Sequence, residues 1–295
     1  MRKEMRCLWH VPVRKKHFKP RRRRKTEPIN LLSIDIFDRT GLFEDDFENL
    51  YQRTTVQLSS CRTGALVKRR ILAPRSLLLF GLHFLRENLK MKVLGEIYGI
   101  SSSTAKRELH FILPILYCRI PRSICWPQPN GFVENELHNI AGAVDATPHF
   151  RNRVHPGSLE YYRGDLKDYF ISAQLVVSLT GQIWSVIFRT GHHNDQSLFN
   201  DSGIYSKLGE LDMYLAGDKG YWSGRIYSPR DMEDDATNLR HRQLRAIVER
   251  VFGYVKCWAF AGGRCRLSPE MQLLGLMIIY QLVAQLVMQF PLIQE

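Results

Sequence analysis

The sequence predicts an α/β fold, a mixed sheet with flanking helices, preceded by an all-α region that contains a helix-turn-helix. Three observations carry this. Residues 76–118 read as an unbroken run of helices. Residues 119–139, with Pro121, Pro127, Pro129 and Gly131, then break the periodicity as a linker does. Beyond them come short apolar runs of β type and a long helical stripe. The predicted organisation is a basic, disordered tail at 1–30, a helical region at 40–120, a linker at 121–139 and an α/β domain at 140–290. With 44% apolar residues in a chain of 295, there is enough for a core.

Charge is the first feature met along the chain. The formal net charge of +13 is concentrated in residues 1–25, which hold 12 Lys and Arg against one acid, Glu4. The remaining 270 residues are nearly neutral, at +2. The unbroken run Arg21, Arg22, Arg23, Arg24, Lys25 suits a nuclear-localisation or phosphate-binding arm, or a solvated tail without a role. Residues 43–60 read as an acidic helix anchored by Phe43, Phe47 and Leu50. Within the helical run, Met91–His110 fits a helix-turn-helix. Leu94 and Tyr98 face inward, Gly95 permits close packing, and Gly99 takes the turn, where positive φ is cheap for Gly. Ile100 fills the corner, and Ser101 to Ser103 offer an N-cap. Lys106, Arg107 and His110 then project outward, as residues for DNA or as a plain helical surface.

In the second region, Ile140–Thr147 reads as a short strand ending in Asp145. Tyr169–Leu179 and Gln182–Thr190 form a hairpin across Thr180-Gly181. Asp195–Leu211 suits a helix, Met213–Ala216 another strand, and Asn238–Lys256 a long helix. Met271–Phe290 is apolar enough to raise a membrane span. However, Gln281, Gln285 and Gln289 repeat every four residues and mark one polar face of a packed helix, so no membrane is expected. No stretch reads as a signal peptide. The six cysteines (Cys7, Cys61, Cys118, Cys125, Cys257, Cys265) form no CxxC pair and are expected to be free thiols.

The chemistry lies in acids. Asp145 and Asp218 each follow a strand, and Glu249 lies in the middle of a helix. Carboxylates so placed can hold two divalent metals about 4 Å apart, and Mg²⁺ or Mn²⁺ suits an all-oxygen site. The helix bearing Glu249 carries an apolar stripe of Leu244, Val248, Val251, Val255 and Trp258. Arg242, Arg245, Glu249 and Lys256 share the flank beside it. Such a flank suits a phosphate-backbone channel and equally an ordinary i,i+4 Arg–Glu surface pair. Asp165 and Asp168 are read as surface acids, and His192 and His193 as a loop pair.

Five stretches nevertheless occur in an order that resembles the PIF/Harbinger-type transposases and Harbinger transposase-derived nucleases. They are Gly142–His149, Tyr161–Asp165, Gly191–Asp195, Leu215–Tyr221, and Asn238–His241 leading into Arg245 to Lys256. The resemblance implies an RNase H-like DDE endonuclease domain with Asp145, Asp218 and Glu249 catalytic. It also implies that Asp145, Asp195, Asp218 and Glu249 are the metal ligands. The 30 residues between Asp218 and Glu249 are slightly fewer than the family's usual spacing. The implied activity is metal-dependent cleavage of DNA phosphodiester bonds. The alternative is a domesticated, non-catalytic DNA-binding or scaffold protein on the same fold. Action on RNA ranks last, because no aromatic-rich stacking surface is evident. The implied partners are DNA and a Myb/SANT-like DNA-binding protein, with a homo-oligomer compatible. The implied location is the nucleus, with the cytoplasm left open.

Overall fold

A computed structural model describes residues 35–59, 72–127, 140–229 and 235–292. The basic run Arg21–Lys25, most of the predicted linker, Cys7 and Cys61 lie outside the described residues. The helical region comprises α1 (Ile36–Thr40), α2 (Glu44–Ser59), α3 (Pro74–Glu87), α4 (Met91–Ile97) and α5 (Ser102–Arg119). In α2, Phe47 and Leu50 are buried as anchors. Phe43 is not. It precedes the helix and is 45% exposed, packed against Phe37 and Phe290.

The helix-turn-helix forms at α4 and α5 for the reasons its residues suggest. Leu94 and Tyr98 are buried, and Gly99 takes left-handed geometry at φ 64. A Cβ on Gly95 would lie 2.7 Å from the Ile100 carbonyl oxygen, so only glycine lets the turn close. The Ser101 hydroxyl accepts from the Thr104 N–H and caps α5. Lys106, Arg107 and His110 are exposed on that helix.

The sheet contains β1 (Ile140–Phe150), β2 (Tyr162–Arg163), β3 (Asp168–Ser178), β4 (Ile183–Thr190), β5 (Tyr214–Ala216) and β6 (Ile226–Tyr227). Its order is β2-β3-β1-β5-β6, with β4 also paired to β3. β1, β3 and β4 are antiparallel neighbours, whereas β5 runs parallel to β1 and β6 parallel to β5. This is the mixed sheet of the RNase H-like expectation. The helices of this region are α6 (Ser158–Tyr161), α7 (Asp195–Asp201), α8 (Ile204–Glu210), α9 (Asp235–Lys256), α10 (Ala259–Gly262) and α11 (Pro269–Gln289).

Two sequence expectations are corrected. The first strand does not end at Asp145: β1 continues to Phe150, so Asp145 is mid-strand. Pro148 is tolerated there because β5 pairs only as far as Ala143, leaving that edge of β1 without a ladder. The predicted helix 195–211 is two helices, because Gly203 at φ 69 breaks it between Asp201 and Ile204.

The faces of the sheet bury different sets. Ala143, Ala173, Leu175 and Val177 pack with α9 and α11, in a core that continues unbroken into Leu77, Phe80 and Leu113 of the helical region. Val144 and Val176 on the opposite face pack with Phe199, Leu208 and Tyr221. α11 is long and apolar enough to cross a membrane, but 67% of its most apolar window is buried inside the protein. Its glutamines hold specific partners. Gln281 accepts from the Ser123 N–H, Gln285 donates to the Pro121 carbonyl, and Gln289 donates to Asp46. The polar face read from the sequence thus binds the start of the linker and α2. Below it, Gln272 is fully buried, accepting from Arg151 and donating to the carbonyls of His149 and Phe150.

Candidate active site

The register of the parallel pair sets up the site. Ala143 of β1 lies opposite Ala216, the last residue of β5. Two residues further along each chain are Asp145 and Asp218, so both acids emerge at the same level of the sheet. Asp218 sits in the turn after β5, where one carboxylate oxygen accepts from the Gly220 N–H at 2.7 Å. One Asp145 oxygen accepts from the Ala146 N–H at 2.8 Å. Asp195 is the first residue of α7, behind Asn194, whose side chain caps that helix by accepting from the Ser197 N–H.

The three aspartates interact electrostatically. Burial, reinforced by the charges of Asp218 and Asp195, pushes the Asp145 carboxyl up to about 6, against the lowering effects of the Ala146 N–H and Arg245. Burial also raises Asp195, helped by Asp218 and Asp165 and opposed by Arg163. Half-buried carboxylates gathered this way strain against one another unless a cation joins them.

The cations nearest to hand come from α9. Arg245 Nη2 lies 3.6 Å from Asp145 Oδ2 and 3.7 Å from Glu249 Oε1, so it bridges the two acids. Lys256 is close enough to Asp145 for their charges to interact. Arg242 is exposed on the same helix. Glu249 stands apart from the aspartates, with a side chain 61% exposed, and joins them only through Arg245. Among the described residues no three His, Cys, Asp or Glu side chains converge closely enough to hold a metal ion. The donor chemistry still suits a hard divalent cation, since the gathered groups are all carboxylates.

Other candidates separate cleanly. Asp168 forms an ion pair with Arg264, and Asp165 one with Arg163 at 2.8 Å on the surface. His192 engages the Glu160 carbonyl and His193 the Ser197 hydroxyl, their rings 4.0 Å apart. Cys118, Cys125, Cys257 and Cys265 are free thiols. Two residues to which the sequence reading assigned no role adjoin the acids: Gln174 of β3 and Tyr221, both buried and hydrogen-bonded to each other. The available signal was a glutamine in the middle of the apolar run Phe170–Val177.

Comparison with known proteins agrees with this geometry. Residues 144–286, from β1 to α11, match the family described as DDE superfamily endonuclease. Residues 71–122 match the family described as the helix-turn-helix of DDE superfamily endonuclease. A protein of Streptomyces albus G described as a transposase for insertion sequence element IS112 is 26% identical over 196 residues, covering 63% of this chain and 69% of its own. No solved structure matches the chain significantly. In both of its regions, and in the order in which they occur, the chain is therefore similar to the DDE superfamily endonucleases with their helix-turn-helix.

Proposed function

We propose that the chain is a transposase-derived DNA endonuclease whose site is built on Asp145, Asp195 and Asp218, with Glu249 as the fourth carboxylate. The observation that carries this reading is the placement of Asp145 on β1 and of Asp218 just beyond the parallel neighbour β5, with Asp195 within electrostatic reach of both. A bound Mg²⁺ or Mn²⁺ would supply an activated water or 3′-hydroxyl and stabilise the leaving oxygen. The chain's own groups do the rest. The aspartates, with Glu249, would hold the cation, and Arg242, Arg245 and Lys256 would neutralise the phosphate backbone. Lys106 and Arg107 of α5 serve duplex binding, and Arg21–Lys25 add sequence-independent affinity.

The test is Mn²⁺-dependent nicking of supercoiled plasmid. Asp218→Asn is expected to abolish nicking while leaving the thermal unfolding transition in place. A variant that nicks like the parent removes this site from the mechanism. The non-catalytic scaffold reading draws on one observation, the Arg245 bridge between Asp145 and Glu249, which serves as well for a permanent ion pair. A parent that shows no Mn²⁺ or Mg²⁺ response in a thermal-shift titration supports that second reading. At the finer level we propose the PIF/Harbinger subtype, a nuclear location that leaves the cytoplasm open, and a Myb/SANT-like partner, with self-association compatible. The ordered motifs support the subtype, and the basic arm beside a near-neutral remainder supports the location and the partner.

A further inference from the structure

The three aspartates arrive on three separate segments: the strand β1, the first turn of α7 and the turn after β5. Among the described residues no backbone ladder ties α7 to the turn after β5; side chains do, since Gln196 of α7 accepts from the Trp222 N–H and Phe199 packs edge-on against Tyr221. One residue relates all three segments. Gln174 lies on β3 directly opposite Ala146, the neighbour of Asp145. It is fully buried, and its Nε2 donates to the Asp195 carbonyl oxygen at 3.1 Å and to the Tyr221 hydroxyl at 3.2 Å. Tyr221, itself buried, is fastened to Asp218 by its own N–H, which donates to the Asp218 carbonyl at 3.2 Å.

The direction of the amide follows from its partners. A backbone carbonyl can only accept, so the nitrogen must face Asp195, and the oxygen is left over. That oxygen, Gln174 Oε1, is buried with no hydrogen-bond partner. A glutamine retained for stability alone would not sit so, because a buried oxygen without a hydrogen-bond partner is destabilising. The Tyr221 hydroxyl accepts from Gln174 Nε2, so the turn that carries Asp218 is tied through Tyr221 to β3.

We infer that Gln174 and Tyr221 are positioning residues of the carboxylate site, with Gln174 clamping the Asp195 and Asp218 segments to the sheet and Tyr221 anchoring the turn of Asp218 to Gln174. This rests on the reading of the three aspartates as metal ligands. Neither residue touches the reacting atoms; each acts through the carboxylates, and loss of such an outer partner typically weakens metal binding by about 10- to 100-fold.

The experiment is calorimetric titration of Mn²⁺ into the full chain, with the metal-free melting temperature measured alongside, for the parent, Gln174→Met and Tyr221→Phe. Gln174→Met keeps the length and removes both polar atoms. The expected result is Mn²⁺ affinity weakened about 10-fold or more in both variants, with the metal-free melting temperature of Gln174→Met unchanged or higher because the orphan oxygen is gone. Parent-like affinity in the variants, whatever their melting temperature, overturns the inference and leaves the aspartate site standing. A parent that binds no Mn²⁺ overturns the metal-site reading itself, and this inference with it. Should Gln174→Met fail to fold, Tyr221→Phe, which removes a single oxygen, decides by the same criterion.

Discussion

Replacing Asp145 by Asn should make the metal-free protein more stable while destroying its activity. The Asp145 carboxyl is held at about 6 in the fold, chiefly by burial, and ionises near 3.8 in the absence of that environment. Between those values the folded chain binds more protons than the unfolded chain. The favourable contribution is therefore complete below the lower value and is lost as pH rises through the higher one. At neutral pH the ionised carboxylate destabilises the fold by about 3 kcal/mol. In Asp145→Asn, Oδ1 can still accept from the Ala146 N–H. The attraction of Arg245, 3.6 Å away, is already contained in the folded value of about 6 and takes nothing further from the gain. A gain of about 3 kcal/mol corresponds to a melting temperature higher by roughly 5 °C for a chain of this size. The assay is thermal unfolding followed by circular dichroism in excess chelator, at about pH 7.5 and again near pH 4. The gain should be present at the higher pH and vanish at the lower. Added Mn²⁺ should raise the melting temperature of the parent and not of the variant. A variant less stable than the parent at neutral pH, or an equal gain at both pH values, would refute the reasoning.

Two further outcomes follow. Gly142→Ala should be among the most damaging single-methyl changes, because the added Cβ would lie 2.0 Å from the Val177 carbonyl oxygen in the β1–β3 ladder. A loss of about 3 kcal/mol or more in denaturant unfolding, or insoluble expression, is expected, and a loss under about 1 kcal/mol contradicts the tight approach of those strands. Deleting residues 1–25, which carry 12 of the 42 Lys and Arg, should weaken binding to duplex DNA and flatten the dependence of log K on log salt. Fluorescence anisotropy over a salt series checks this, and an unchanged slope removes the arm from the binding surface.

The helix-turn-helix was legible because its determinants are local. Gly95 and Gly99, the Ser101 cap and the inward Leu94 and Tyr98 all act within one turn of their own positions, and each is found doing so. The α9 stripe was legible for a similar reason, since Leu244, Val248, Val251 and Val255 recur at the helical period and are buried. The hairpin at Thr180-Gly181 and the packed, glutamine-striped α11 also follow from local pattern. Local pattern failed where a distant segment decides. The end of β1 was misplaced because its last residues are held by β3 rather than by their own apolar character, and Pro148 reads as a stop only until the missing β5 partner is known.

Element types, the acidic candidates and, through motif order, the kind of domain are therefore legible along the chain. How the acids relate depends on packing between distant segments. The parallel register of β1 and β5 levels Asp145 with Asp218, an effect of strand pairing that no spacing along the chain encodes. Arg245 stands between Asp145 and Glu249, which makes a helical i,i+4 pair and a site contact the same side chain. Gln174, 21 residues from Asp195 and 47 from Tyr221, joins segments that only the folded sheet brings together. The physical reason is common to all three. Charge and hydrogen bonding act over a few ångströms, and those distances are set by the sheet and not by the order of residues.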